Sequence, residues 1–191
     1  IHIIMHTVGG SLSSSEAICN CILNHRRSGF VGKIIMYIPY YSYSGGCMIA
    51  LACDKVIMQK NAILGPCDAQ QYVTGSHYSV ASIIDTVKYK KDNKEKISEN
   101  WLAGAYDANL CKERQLKYVK ELVDCEVFTE EIGNKIYDEF FSGKYNHDQI
   151  FTTRDALSLG LNVEIVEVMP DMIKNFINSI LNKFELKVNT H

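Results

Sequence analysis

The stretch Tyr41–Ala50, YSYSGGCMIA, decides how this 191-residue chain is read. It follows Lys33–Ile38 (KIIMYI), an apolar run with the character of a buried strand, closed by Pro39. Cys47–Ala52 is apolar and helical in character. Ser44 therefore stands between a strand and a helix, directly before Gly45 and Gly46. A serine so placed can sit on a sharp turn at the helix N-terminus, where backbone N–H groups lack intrahelical acceptors. The two glycines remove side chains that would crowd a bound group. The free N–H groups can stabilise the oxyanion of an acyl-transfer transition state. A Ser N-cap on an ordinary helix accounts for the same local residues.

Upstream, Ile1–Met5 is strand-like and ends at His6-Thr7-Val8-Gly9-Gly10. Ser11–Ser15 offer N-caps for a helix whose apolar positions are Ala17, Ile18, Cys21 and Ile22, stopping near Gly29. A second Gly pair thus falls at the carboxyl edge of a strand, close to where Ser44 should lie. Downstream, Lys55–Met58 reads as a third strand, and Ala62–Gln71 as a loop broken by Gly65 and Pro66. Tyr78 to about Phe141 is mainly helical, with a polar break at Lys90–Asn100. A short strand at Gln149–Thr152, a helix from Thr153 to Gly160, a last strand at Val163–Val168 and an amphipathic helix at Asp171–Phe184 complete the pattern. Strands alternating with helices predict an α/β domain with a largely parallel sheet, and no linker divides residues 1–191.

The composition narrows the function. With 47% hydrophobic residues the chain can bury a substantial core, and a net charge of −2 gives no reason to expect a nucleic-acid partner. The basic cluster Lys88–Lys96 is interrupted by Asp92 and Glu95 and reads as a solvated face. Seven cysteines, an odd number among apolar neighbours with no Cys-x-x-Cys pair, fit free thiols in a reducing compartment better than disulfides or zinc. No segment reads as a signal peptide or a transmembrane helix. The chain opens on a strand pattern without a starting Met, so a preceding segment is expected, and a membrane anchor could lie there.

The ordered motifs HTVGGSLSSSEAI, PYYSYSGGCMIALACDKVIM and AILGPCDAQ resemble the Clp protease and signal peptide peptidase superfamily, within the crotonase-like fold. They are closest to its serine dehydrogenase proteinase family, as is SGKYNHDQIFTTRDALSLGL. The resemblance implies a Clp/crotonase-like spiral core of ββα units with a helical C-terminal arm. It also implies an ATP-independent serine endopeptidase without metal or other cofactor, acting on polypeptide, and homo-oligomeric. Ser44 becomes the nucleophile and the Gly10 and Gly45 N–H groups the oxyanion donors. Gly9 and Asp68 are candidates to line the substrate groove, although Asp68 and Gln70 read more readily as pinning their loop by Asx-type hydrogen bonds. The chain departs from the family at Val8, Gly45, Cys47 and Ala69. Cys47 is read as a packing residue.

The base is less direct. The Clp proteolytic subunit has a histidine in the loop matching Ile63–Gln71, and this chain has none there. Lys112 matches a lysine of the family's corresponding helix, implying a Ser–Lys dyad. That role requires partial burial to lower its pKa. His147 is the alternative base, oriented by Asp148 or another carboxylate, although neighbours in a strand point to opposite faces and this disfavours a His147–Asp148 pair. His77 is expected to be exposed. Tyr37, Tyr40, Tyr41 and Tyr43 could wall a pocket or a subunit interface. Two competing readings are an inactive peptide-binding scaffold, which would lack a base, and an acyl-CoA enzyme. The latter would need a site for adenine and phosphates and nearby carboxylates. The compartment expected is the cytoplasm, or a membrane face in a reducing environment.

Overall fold

In chain order, the computed structural model contains β1 (His2–Ile4), α1 (Leu12–Arg27), β2 (Ile35–Ile38), β3 (Tyr41–Ser42), α2 (Gly45–Ala52) and β4 (Lys55–Gln59). There follow β5 (Ile63–Leu64), β6 (Gln70–Val73), β7 (Ser76–Ser79), α3 (Val80–Asp92), α4 (Glu99–Asp124) and α5 (Glu130–Ile136). A π-helical turn at Tyr137–Phe141 leads to β8 (Phe151–Thr152), α6 (Thr153–Ser158), β9 (Val163–Val166) and α7 (Asp171–Val188). The structure describes residues 1–29 and 31–188, with the side chains of 181–188 left out.

Every apolar run read as a principal strand joins one parallel sheet of order β1-β2-β4-β9. Their carboxyl ends lie on one edge, and the turns after β1 and β2 meet there. A bridge between Thr7 and Ser42 stitches the two turns together, with the Tyr43 N–H donating to the Thr7 carbonyl at 3.0 Å. A second sheet, β3-β5-β8, stands beside this edge, and β6 and β7 form a separate antiparallel hairpin. The stretch Ala62–Gln71, read as pure loop, thus contains β5 and the first residues of β6.

The core forms where α1, α2 and the long helix α4 cover the sheet. Leu23, Met36, Met48, Met58, Tyr118, Leu122 and Phe140 are all buried in one cluster. The helical arm is part of this body. The Tyr118 hydroxyl on α4 donates to the Met48 carbonyl of α2 at 2.6 Å, and the Gln115 amide donates to the Cys67 carbonyl at 3.0 Å. A smaller cluster of Val73, Val80, Ile83, Val87, Ala105 and Ala108 ties the hairpin to α3 and α4. On the other face of the sheet, α7 seats Ile173 against Tyr37, Ile57 and Met169.

Phe140 connects the core to the loop after β5. Its ring, fully buried, lies 4.4 Å from that of Phe151, and its carbonyl accepts the Cys67 N–H at 2.7 Å. Truncating this side chain leaves a cavity beneath the loop. Phe140→Ala is expected to cost about 3–5 kcal/mol of stability, read as a lower midpoint in chemical denaturation; a midpoint unchanged from wild type would contradict this packing.

Candidate active site

Ser44 does not behave as an ordinary N-cap. Ser11, Ser79 and Thr129 cap their helices with extended backbone and side chains that accept an N–H. Ser44 instead has φ 49° and ψ −121°, and its side chain makes no capping hydrogen bond. A β-carbon is sterically disfavoured at that φ, at a cost of about 1–3 kcal/mol. The surroundings impose it. The Gly46 N–H donates to the Tyr43 carbonyl at 2.9 Å, and the Met48 N–H to the Ser44 carbonyl at 3.0 Å. The Tyr43 ring lies so close to Gly65 that a β-carbon there would fall 1.9 Å from Cδ1. The side chain of Ser44 is thereby turned out of the helix and makes no hydrogen bond among the described residues.

The glycines around it are a steric requirement. Gly9 has φ +119°, and a β-carbon on it would lie 2.6 Å from Cβ and 3.2 Å from Oγ of Ser44. A β-carbon on Gly45 would come 2.1 Å from Ser15 Oγ and 3.5 Å from the Gly10 nitrogen. The Gly10 nitrogen and the Gly45 backbone therefore lie close together, next to Ser44. Neither donates to an acceptor among the described residues. Two unpaired donors beside a projecting hydroxyl are the geometry that an oxyanion needs.

The histidine comes from a distant segment. His147, in the turn after the π-helical segment, has Nδ1 2.7 Å from Oδ1 of Asp68. Asp68 is 3% exposed, and its Oδ2 accepts the Gln70 side-chain N–H at 2.7 Å. The hydrogen bond to Asp68 holds the imidazole pKa above its usual 6.5, outweighing the opposing effect of burial. With Nδ1–H committed to the carboxylate, Nε2 carries the free lone pair. Asp148, the neighbour in sequence, is exposed, makes no hydrogen bond to the imidazole among the described residues, and adds only the smallest of the electrostatic contributions that raise its pKa. The turn is braced by Lys144, which bridges Asp138 at 3.0 Å and Glu139 at 2.7 Å, and by the Tyr145 hydroxyl, which donates to Glu139 at 2.8 Å.

These pieces share one cavity of about 510 Å³, lined by Gly9, Gly10, Ser44, Gly45, Gln70 and His147 among others. Asp68 lies behind the wall rather than on it. His77, exposed as expected, also borders the cavity from β7. Lys112 is exposed on α4 instead of partly buried, and the neighbouring Cys111 is the residue through which α4 reaches the cavity. The pairing of His147 with Asp68 spans 79 positions and had no local signal. The position of Cys111 did have one, in the spacing of small and apolar residues along α4. All seven cysteines are free thiols. Among the described residues no group of three or more His, Cys, Asp or Glu could hold a metal, and no helix is long and apolar enough to cross a membrane.

The chain is similar to known proteins in sequence and in fold. Two uncharacterized proteins of Methanocaldococcus jannaschii are 33% identical over 163 residues and 31% identical over 164. The matches take in 85% and 86% of this chain, and the chain spans about half the length of these relatives (51% and 53%). Among solved structures, the chain is similar to a mutant of a membrane-bound stomatin-specific protease in complex with a substrate peptide. That likeness has a TM-score of 0.54 at 19% identity, over 91% of this chain and 64% of that one. A second mutant of the same protease gives 0.53 at 18% identity, over 91% of this chain and 68% of that one. At such identities the likeness shows a shared fold, which is Clp/crotonase-like. Residues 1–181 match the family model of the ClpP-like SDH-type serine proteinases, and the chain belongs to that family.

Proposed function

We propose that this protein hydrolyses peptide bonds through an acyl-enzyme formed on Ser44. The observation that carries the reading is the convergence on one cavity of a strained, unpaired Ser44, the N–H groups of Gly10 and Gly45, and His147 held by the buried Asp68. Ser44 Oγ attacks the substrate carbonyl while Nε2 of His147 accepts its proton. Asp68 fixes the imidazole tautomer and stabilises the imidazolium. The Gly10 and Gly45 N–H groups hold the oxyanion. His147 then gives the proton to the leaving amine, and a water molecule activated by the same imidazole releases the acyl group. No step draws on ATP or a metal. Polypeptide substrates and assembly into homo-oligomers complete the proposal.

Lys112 fits the role of base less well, because its side chain is exposed while the cavity receives Cys111 from the same helix. An acyl-CoA reaction is also disfavoured. Among the described residues no Asp, Glu, Lys or Arg lines the cavity, which leaves no carboxylate on its wall to serve as acid/base.

Hydrolysis of an unfolded protein such as casein tests the proposal in the full-length protein. Ser44→Ala is expected to reduce the rate to background, and His147→Ala to reduce it by at least about a hundredfold. Lys112→Ala is expected to stay close to wild type. The reverse pattern, with Lys112→Ala inactive and His147→Ala active, would transfer the role of base to the lysine. Absence of Ser44-dependent hydrolysis would remove the peptidase reading.

The pH dependence has a defined sign. A general base must be neutral, and His147 is held above 6.5 by Asp68, so activity should rise with pH along a limb centred above that value. Asp68→Asn removes the anion that stabilises the imidazolium. The limb should then move to lower pH, with a plateau reduced by about a hundredfold or more. A limb that does not move would separate Asp68 from the titrating group.

A further inference from the structure

The buried face of α4 has a helical register: Gly104, Ala108, Gln115, Tyr118 and Leu122 are all buried, and Cys111 falls between the second and third of them on the same face. At 3.6 residues per turn, Lys112 is turned about 100° from Cys111 and about 80° from the centre of that face. Tyr118 and Gln115 use the face to grip the Met48 and Cys67 carbonyls, so α4 is locked against both the nucleophile helix and the loop carrying Asp68. Cys111 sits one turn before Gln115, packed on one side against the cluster of Val73, Val80, Ile83, Ala105 and Ala108 and lining the cavity on the other. It is half-buried, and desolvation raises its thiol pKa, as an apolar wall would.

The walls of the cavity are uncharged. Leu12, Met48, Cys67, Ala69 and Cys111 contribute apolar surface, while the polar groups Gln70, His77 and His147 border it. Met48 is one turn beyond Ser44 on α2, and its main chain is held at both ends, by Ser44 and by Tyr118. A peptide whose carbonyl lies between the Gly10 and Gly45 donors must place an adjacent side chain near this surface. An ionised side chain there would lose hydration without gaining a partner, which is strongly unfavourable. A wide aromatic ring would meet Cys111, which the locked helix cannot withdraw.

Resting on the peptidase reading above, we propose that Cys111 is a specificity-determining residue: with Met48 it walls a subsite beside Ser44 for a small or medium uncharged apolar side chain of the substrate, of alanine to leucine size, preceding the scissile bond. Cys111 takes no part in bond making. Its thiol sets the width of the subsite, and the uncharged wall sets its polarity.

The test is a series of peptides differing only in the residue before the scissile bond (Ala, Leu, Phe, Lys or Asp), turned over by wild type, Cys111→Ala and Cys111→Leu of the full-length protein. Ratios of kcat/KM within one variant do not depend on the fraction of folded enzyme, so partial misfolding leaves the readout intact. Wild type is expected to favour Ala and Leu over Lys and Asp by at least about tenfold. Cys111→Ala should raise the Phe-to-Ala ratio by about tenfold, and Cys111→Leu should lower the Leu-to-Ala ratio by a similar factor. Ratios unchanged in both variants, or a wild-type preference for Lys or Asp, would overturn the inference while leaving Ser44-dependent peptidase activity in place. If no peptide shows Ser44-dependent cleavage, the peptidase reading falls and the inference falls with it.

Discussion

The contact between Gly9 and Ser44 is the constraint on which the rest of the site depends. Each residue has a positive φ, and a single β-carbon on Gly9 would fall 2.6 Å from that of Ser44. Two turns that follow adjacent parallel strands can approach this closely only if one of them carries no side chain. Their proximity brings the Gly10 and Gly45 backbones together beside the serine. The strain at Ser44 is offset by the large, well-packed core immediately beneath, where every residue of α2 is buried. A serine in an unfavourable backbone state is thus held by a helix whose residues are all buried.

The His147–Asp68 pair is held differently. Neither residue belongs to a helix or a long strand. The loop carrying Asp68 is anchored through the backbone of Cys67, whose N–H is taken by Phe140 and whose carbonyl is taken by Gln115. The π-helical turn that supplies the Phe140 carbonyl also leads into the turn carrying His147. One irregular segment therefore sets both partners of the pair, consistent with the tendency of π-turns to occur at functional sites. In relation to the Clp arrangement invoked from sequence, the loop after the third principal strand contributes a carboxylate here, and a later segment contributes the imidazole.

Much of the fold was legible because its strands are continuous apolar runs and its helices have clear caps. Ile1–Met5, Lys33–Ile38, Lys55–Met58 and Val163–Val168 all contain strands, and the helices after Ser11 and before Gly160 begin and end as read. The β6–β7 hairpin was not recognised, since QQYV and SHYS are polar and show little alternation. Its signal was the two-residue Thr74-Gly75 turn, both residues of which have positive φ. The two-residue strands β3, β5 and β8 are too short to carry a periodicity. At the site, Ser44 and the glycines were legible from local spacing, and the partnership of His147 with Asp68 was not, because it is a tertiary contact. Lys112 was accessible to a simple check: the 3.6-residue register through Ala108, Gln115, Tyr118 and Leu122 puts Cys111 inside and Lys112 outside.

In the proposed mechanism the backbone of this fold activates one particular hydroxyl among many. Reaction of the full-length, folded protein with a fluorophosphonate, followed by peptide mapping of the adduct, tests it most directly. A single stoichiometric adduct on Ser44 is expected, with the neighbouring serines Ser11, Ser15 and Ser42 unmodified. A folded protein that forms no adduct, or forms it on another residue, would contradict it.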